Sequence, residues 1–140
     1  MKPERVKDFI LNVTKKSDIT VENTNTGHYI TYRLVRNNIT RQLIIYAKFG
    51  FKYRMIGYFA KDDVNNIFTL VNETSKERTI FHSIVKRYIY QFNPFNDIVI
   101  HHDGCCSICN KKLTTPESIE NGIGPKCLAD LKKIVTKTLK

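Results

Sequence analysis

Residues 28–60 read HYITYRLVRNNITRQLIIYAKFGFKYRMIGYFA, and apolar and polar side chains alternate through them with a period of two. That period is the signature of half-buried strands. Ile30, Tyr32 and Leu34 alternate with Thr31, Arg33 and Val35. From Gln42 to Phe49, Leu43, Ile45, Ala47 and Phe49 share one face. Gly50 interrupts, and from Tyr53 to Ala60 the residues Tyr53, Met55, Gly57 and Phe59 alternate with Arg54, Ile56 and Tyr58. Asn37-Asn38 supplies turn chemistry between the first two strands. Asp62 to Asn66 reads as a further turn, and Ile67 to Val71 as a fourth strand. The stretch predicts a four-stranded antiparallel meander.

The flanks predict what covers it. Thr74-Ser75-Lys76-Glu77 has the spacing of a capping box. The helix it opens runs to about Phe92, with Ile80, Phe81, Ile84, Val85, Tyr88 and Phe92 in one stripe, and Pro94 ends it. Pro3 suits a first helical position, and Val6, Phe9, Ile10 and Val13 predict a surface helix over 3–16. Residues 17–27 are polar and turn-rich, although Ile19 and Val21 allow a short strand. Ile98, Val99 and Ile100 predict another.

With 140 residues the chain has the size of one domain. No apolar run reaches the length of a membrane helix, and the N-terminus lacks the apolar stretch of a signal peptide. The expectation is therefore a cytoplasmic protein, whose four cysteines serve as thiols or metal ligands rather than disulfides. Lys and Arg number 23 against 13 Asp and Glu, a formal charge of +10. A polyanionic partner or an acidic protein surface follows from that balance. From Asn23 to Lys61 there are seven basic residues (Arg33, Arg36, Arg41, Lys48, Lys52, Arg54 and Lys61) and no acidic one. Lys132, Lys133, Lys137 and Lys140 add to the basic C-terminus.

The most specific chemistry lies in His101–Cys127, HHDGCCSICNKKLTTPESIENGIGPKC. Cys106-Ser-Ile-Cys109 followed by Asn110-Lys111-Lys112 has the form of a zinc knuckle, in which turn amides hydrogen-bond back to the sulfurs. Pro125 suits the start of a C-terminal helix, which places Cys127 in its first turn, where the helix dipole favours a thiolate. Thr115-Pro116 begins a short helical turn, and the glycines of Gly122-Ile-Gly124-Pro125 allow the chain to reverse near the metal. A structural zinc site takes four ligands. His102, four residues before Cys106, is the first choice for the fourth, with His101, Cys105 and Asp130 as alternatives. The zinc would be structural. A deaminase-type catalytic zinc lacks its His-x-Glu and Pro-Cys-x-x-Cys.

The set Cys106, Cys109, Leu113, Thr114, Pro116, Glu117, Ser118, Gly122, Ile123, Gly124, Pro125 and Cys127 resembles the DUF6011-type zinc-binding domain of bacteriophage and mobile-element proteins. The resemblance covers about 27 residues. It implies a zinc site and a phage context, supports His102 as fourth ligand, and leaves Cys105, where members carry arginine, outside the ligand set. Gly27-His28-Tyr29-Ile30-Thr31 fits a strand that precedes the zinc segment in phage relatives. The resemblance implies no activity.

The fold class expected is thus α+β: an antiparallel meander packed on a helix (residues 1–97) with a small zinc-knuckle and helix module (residues 98–140), the two forming one compact unit. Basic residues interleave with Tyr29, Tyr32, Tyr46, Phe49, Phe51, Tyr53 and Tyr58, a pattern that suits stacked bases and neutralised phosphates. On these strands Tyr46 and Lys48 share a face with Ile44, as Arg54 and Tyr58 do with Ile56. Nucleic-acid binding, DNA or RNA, is the first functional expectation, carried by Arg33, Arg36, Arg41, Lys48, Lys52, Arg54, Lys111, Lys112, Lys132 and Lys133. The alternative is an anti-CRISPR-like anti-defence factor that binds a host protein or nucleoprotein in the host cytoplasm. An enzyme is not expected. No phosphate-binding loop, metalloprotease or nucleophile-elbow motif is present, the only paired carboxylates are Asp62-Asp63, and His28 and His82 read as surface residues.

Overall fold

The computed structural model describes residues 1–60, 66–71 and 75–139, the side chains beyond residue 133 excepted. After a 3₁₀ turn at Pro3–Arg5 come α1 (Val6–Leu11), β1 (Lys16–Asn23), β2 (Tyr29–Arg36), β3 (Leu43–Phe49), β4 (Lys52–Phe59) and β5 (Phe68–Leu70). α2 (Lys76–Ile84), a π-helical segment (Val85–Tyr90), β6 (Ile98–His102), α3 (Pro116–Asn121) and α4 (Pro125–Leu139) complete the chain. The strands form one antiparallel sheet in the order β5-β4-β3-β2-β1-β6. The four strands of the expected meander, the strand expected at 98–100 and the one allowed at Ile19 and Val21 make up the six of this sheet among the described residues. The polar segment 17–27 supplies β1, and β6 pairs along it with Val21 opposite Ile100.

Alternation decides which face is buried. Ile19, Tyr32, Leu34, Leu43, Ile45, Ala47, Phe59 and Ile100 are all nearly inaccessible on the inner face, against which α2 and α1 pack. Tyr32 shows how the layers are tied. Its ring lies 4.9 Å from Phe81, its hydroxyl donates to the Glu77 carbonyl at 2.7 Å, and burial pushes its pKa far up. The expected turn at Asn37-Asn38 is a longer loop, in which the Asn37 side chain accepts from the amides of Ile39 and Thr40. Asp62–Asp63, Lys61 and Thr74 lie outside the described residues. The cap of α2 is Ser75, whose hydroxyl accepts from the Arg78 amide.

Two irregularities change faces that simple alternation assigns. A bulge between Ile45 and Tyr46 puts Gly57 opposite Ile45 but Met55 opposite Tyr46, so Ile56 is the extra residue. Arg54 therefore pairs with Ala47, on the inner side, while Tyr58 pairs with Ile44 on the outer. Those two do not share a face. The π-helical turn of α2 has the second effect. With the wider repeat, Tyr88 and Ile89 both enter the core, whereas Phe92 is 65% exposed and adopts a left-handed φ of 52°.

The N-terminal helix also departs from expectation. It stops at Leu11, and Val6, Phe9, Ile10 and Val13 are wholly buried. The Arg36 guanidinium donates to the Leu11, Val13 and Arg41 carbonyls, which satisfies acceptors a helix end leaves open. Beyond it, the Thr14 amide donates to the Ser107 carbonyl at 3.1 Å. The Met1 ammonium donates to the Ile100 carbonyl and the Lys2 amide to the Glu120 carbonyl. One core cluster accordingly runs from Val6 through the sheet to Cys106, Ile123 and Leu128. The division at residue 97 falls just before a strand of the main sheet.

Gly57 carries the bulge's close packing, since a Cβ there would overlap the Phe68 ring and approach the Thr69 carbonyl to 2.7 Å. Gly57→Ala is expected to destabilise the fold by about 1–3 kcal/mol, read as a lower midpoint in urea denaturation.

Candidate metal centre

Local chain chemistry builds this site. Gly104 (φ 89°) and Asn110 (φ 64°) take left-handed conformations that bend the chain into a small hairpin, in which Cys105 bridges to Lys112. Within it the Asn110 amide donates to the Cys106 carbonyl, and the Cys106 amide to the Lys111 carbonyl, both at 2.9 Å. Thr115 caps α3, with its hydroxyl accepting from the Ser118 amide and the Ser118 hydroxyl accepting from the Thr115 amide. Gly122 ends α3 with φ 69°, and a Cβ there would come within 2.7 Å of Phe9. Glycine is thus required twice at that position. Gly124 has no such φ, and a Cβ there would meet only the Cys106 sulfur, at 4.0 Å. Pro125 opens α4, and two residues on stands Cys127.

These turns bring the Cys106, Cys109 and Cys127 sulfurs within 4.8 Å of one another. A tetrahedron with 2.3 Å metal–sulfur bonds has edges of roughly 3.8 Å, so the three thiols fit three corners of such a site after a small contraction. Burial pushes the Cys106 thiol up, but amides of Gly124, Cys109 and Ile108 and the Cys109 thiol hydrogen-bond to the sulfur, and the net shift is downward. Cys127 goes the other way, up to about 12, because burial, the hydrogen bonds with Cys109 and Cys106, and charge on these neighbours all oppose a further thiolate. The helix dipole does not offset that crowding. A cation would.

The four candidates for the remaining corner are placed apart. His102 is not in the cluster. Its Nδ1 accepts from the Gly104 amide at 2.8 Å, its Nε2 donates to the Ile119 carbonyl at 2.6 Å, and its ring stacks on Phe9. Both nitrogens are engaged within the segment, one on Gly104 and one on α3, while the ring packs on α1. His101 contacts Glu22 on the outer sheet face at 2.9 Å. Cys105 sits in the hairpin bridge. Asp130, one helical turn beyond Cys127, lines the same cleft as the three thiols, together with Lys111, Lys112 and Lys126.

The basic residues singled out in the sequence do not gather into one patch. Arg33 is held by Asp18 through bonds of 2.9 and 3.1 Å and lies 4.1 Å over the Tyr53 ring. Arg36 and Arg41 serve the β2–β3 loop and the end of α1. Lys48, Lys52 and Arg54 are exposed near the β3–β4 turn, with Arg54 stacked 3.8 Å over Phe49. Lys111 and Lys112 are exposed on the knuckle, and Lys132 and Lys133 on α4. His28 and His82 are exposed. Lys76 and Lys126 escaped the sequence reading, because only the packing sets Lys76 beside β2 and Lys126 beside the thiols.

Comparison with known proteins adds one finding. Residues 101–132 match the model of DUF6011, a family of unknown function. The match begins at the last residues of β6 and ends on α4, so the DUF6011 segment holds all three clustered thiols and the residues that turn the chain around them. No curated protein and no solved structure matches the chain. No helix among the described residues is long and apolar enough to cross a membrane.

Two outcomes are expected. Cys127→Ser should lose metal binding in a chelator-competition titration and lower the thermal midpoint, whereas His102→Gln should keep the metal stoichiometry and lose only stability. An equally heat-stable Cys127→Ser chain would contradict the first. Thiols must shed protons to ligate, and the raised Cys127 makes proton competition strong at that corner. Metal should therefore be retained at alkaline pH and released progressively as pH falls, as followed by a zinc-responsive dye.

Proposed function

We propose that this chain is a non-enzymatic nucleic-acid-binding protein whose C-terminal segment is stapled by a structural zinc ion. Three thiolates suit a borderline-soft cation. The binding free energy of the metal would be folding free energy for a segment with little core of its own. Asp130 or solvent completes the coordination.

The observation that carries the binding reading is the open end of the sheet. Tyr29 is 70% exposed and Phe51 fully so, while Lys48, Lys52 and Lys76 stand exposed around them. Large aromatics presented to water beside cations have no role in the core. They suit bases that stack and phosphates that need counter-charge. The proposed interface is the β3–β4 turn together with the N-terminus of α2. Tyr32 belongs to the core, and Arg33 and Arg36 are bonded to protein partners, so the reading is carried by the lysines.

The test is fluorescence anisotropy of zinc-loaded protein with labelled DNA and RNA across a salt series. Affinity should fall by roughly 0.7–0.9 log units per log unit of salt for each phosphate contact. Lys48→Glu with Lys52→Glu should weaken binding more than about tenfold, since each removes a contact and adds a repulsion, with an unchanged circular dichroism spectrum. Absence of binding at low salt to every probe overturns the reading.

A further inference from the structure

Beyond Tyr32 and Ala47 the pairing of β2 with β3 ends, although both strands continue. The gap lies over the first turn of α2. Two cavities meet there. One, of about 380 Å³, is bordered by Lys48, Gly50 and Thr31 as well as Tyr29 and Lys76. The other, of about 430 Å³, runs from Tyr29 and Lys76 between α2 and the ends of β1 and β2 to the segment before β6. Ile30, Ile80, Ile84 and Phe95 line it, with Asp97 and Asn23 beside them. Tyr29, Ile30 and Lys76 border both cavities.

We infer that this cleft is a single-strand site, in which one unpaired base enters the apolar cavity while the strand's phosphates follow Lys76 and Lys48. The inference rests on the nucleic-acid reading and deepens it. Three features select the occupant. The cavity has the size and apolar lining of small-ligand clefts, and a single strand fills it without the energy that unpairing and unstacking a duplex base costs. Tyr29, 70% exposed at the mouth, offers the stacking surface that single-strand sites use. Donor and acceptor chemistry selects the base. Lys48 and Lys76 border the first cavity beside Glu77, and the carboxylate of Asp97, to which the Asn23 amide donates at 3.5 Å, borders only the apolar one. A carboxylate accepts from exocyclic base amines, as acidic side chains do with the N4 amine of cytosine. The apolar cavity is thus suited to an amino-bearing base, cytosine above thymine.

The experiment uses the full zinc-loaded chain and labelled oligonucleotides of about 12 residues, within the footprint of single-strand modules. The probes are oligo-dC, oligo-dT and the dC·dG duplex. Oligo-dC should bind about tenfold more tightly than oligo-dT and than the duplex, a ratio within the range of one well-recognised base. That comparison is read on the wild-type chain and needs no variant. Tyr29→Ala, and separately Ser83→Trp, which fills the cavity from α2, should each remove the preference. Equal binding of all three probes, or variants that bind oligo-dC as the wild type does, overturns the cleft and leaves the broader reading standing if Lys48→Glu with Lys52→Glu still weakens binding. Failure of the wild type to bind any probe overturns both.

Discussion

The pairing of β6 with β1 is the constraint on which the rest of the molecule depends. Once Val21 lies opposite Ile100, the chain leaving β6 emerges beside α1. The thiol-bearing hairpin then docks against Thr14, and Gly122 fits under Phe9. Each contact is modest on its own, since a hydrogen bond contributes about 1 kcal/mol net. Together they turn a segment that could have been an appendage into one wall of a shared core. The inaccessible Cys106, Ile123 and Leu128 sit in the same apolar cluster as Val6 and Leu34.

Sequence patterns were informative where local physics controls the outcome. The period-two alternation of 30–34 and 43–49 assigns the inner face correctly, and Thr115-Pro116 starts a helix where its capping chemistry says it should. They misled where an extra residue or a distant partner intervenes. Nothing before Ile56 announces the bulge that moves Arg54 to the other face. The π-helical turn looks like ordinary helix until Phe92 is seen outside. β1 reads as polar loop because only Ile19 and Val21 mark it, and its second neighbour lies some eighty residues away.

The candidate metal centre divides along the same line. Cys106, Cys109 and Cys127 were legible because knuckle and helix-start signals are local, and the structure brings their sulfurs together. The place of His102 was not. Four residues before Cys106, it looks able to reach the thiols, yet the strand that carries it aims the ring at Phe9 and the Ile119 carbonyl. The basic residues teach a related lesson about charge. A run without acids in the sequence becomes, after folding, Arg33 and Arg36 bonded to protein groups and Lys48, Lys52 and Arg54 exposed near the β3–β4 turn.

The topology also sets an order of events. β1 to β5 pair with their neighbours in sequence, whereas the junction of β6 with β1 joins Ile19 to His102. Local hairpins close quickly, and a long loop closes slowly. The meander is therefore free to assemble first, with the backbone groups along one side of β1 unpaired until the last strand arrives. An open strand of this kind is a template for a second chain. The bond of the Thr14 amide to Ser107 and the fit of Gly122 under Phe9 hold β6 on that edge once it arrives. These contacts guard the finished sheet against self-association.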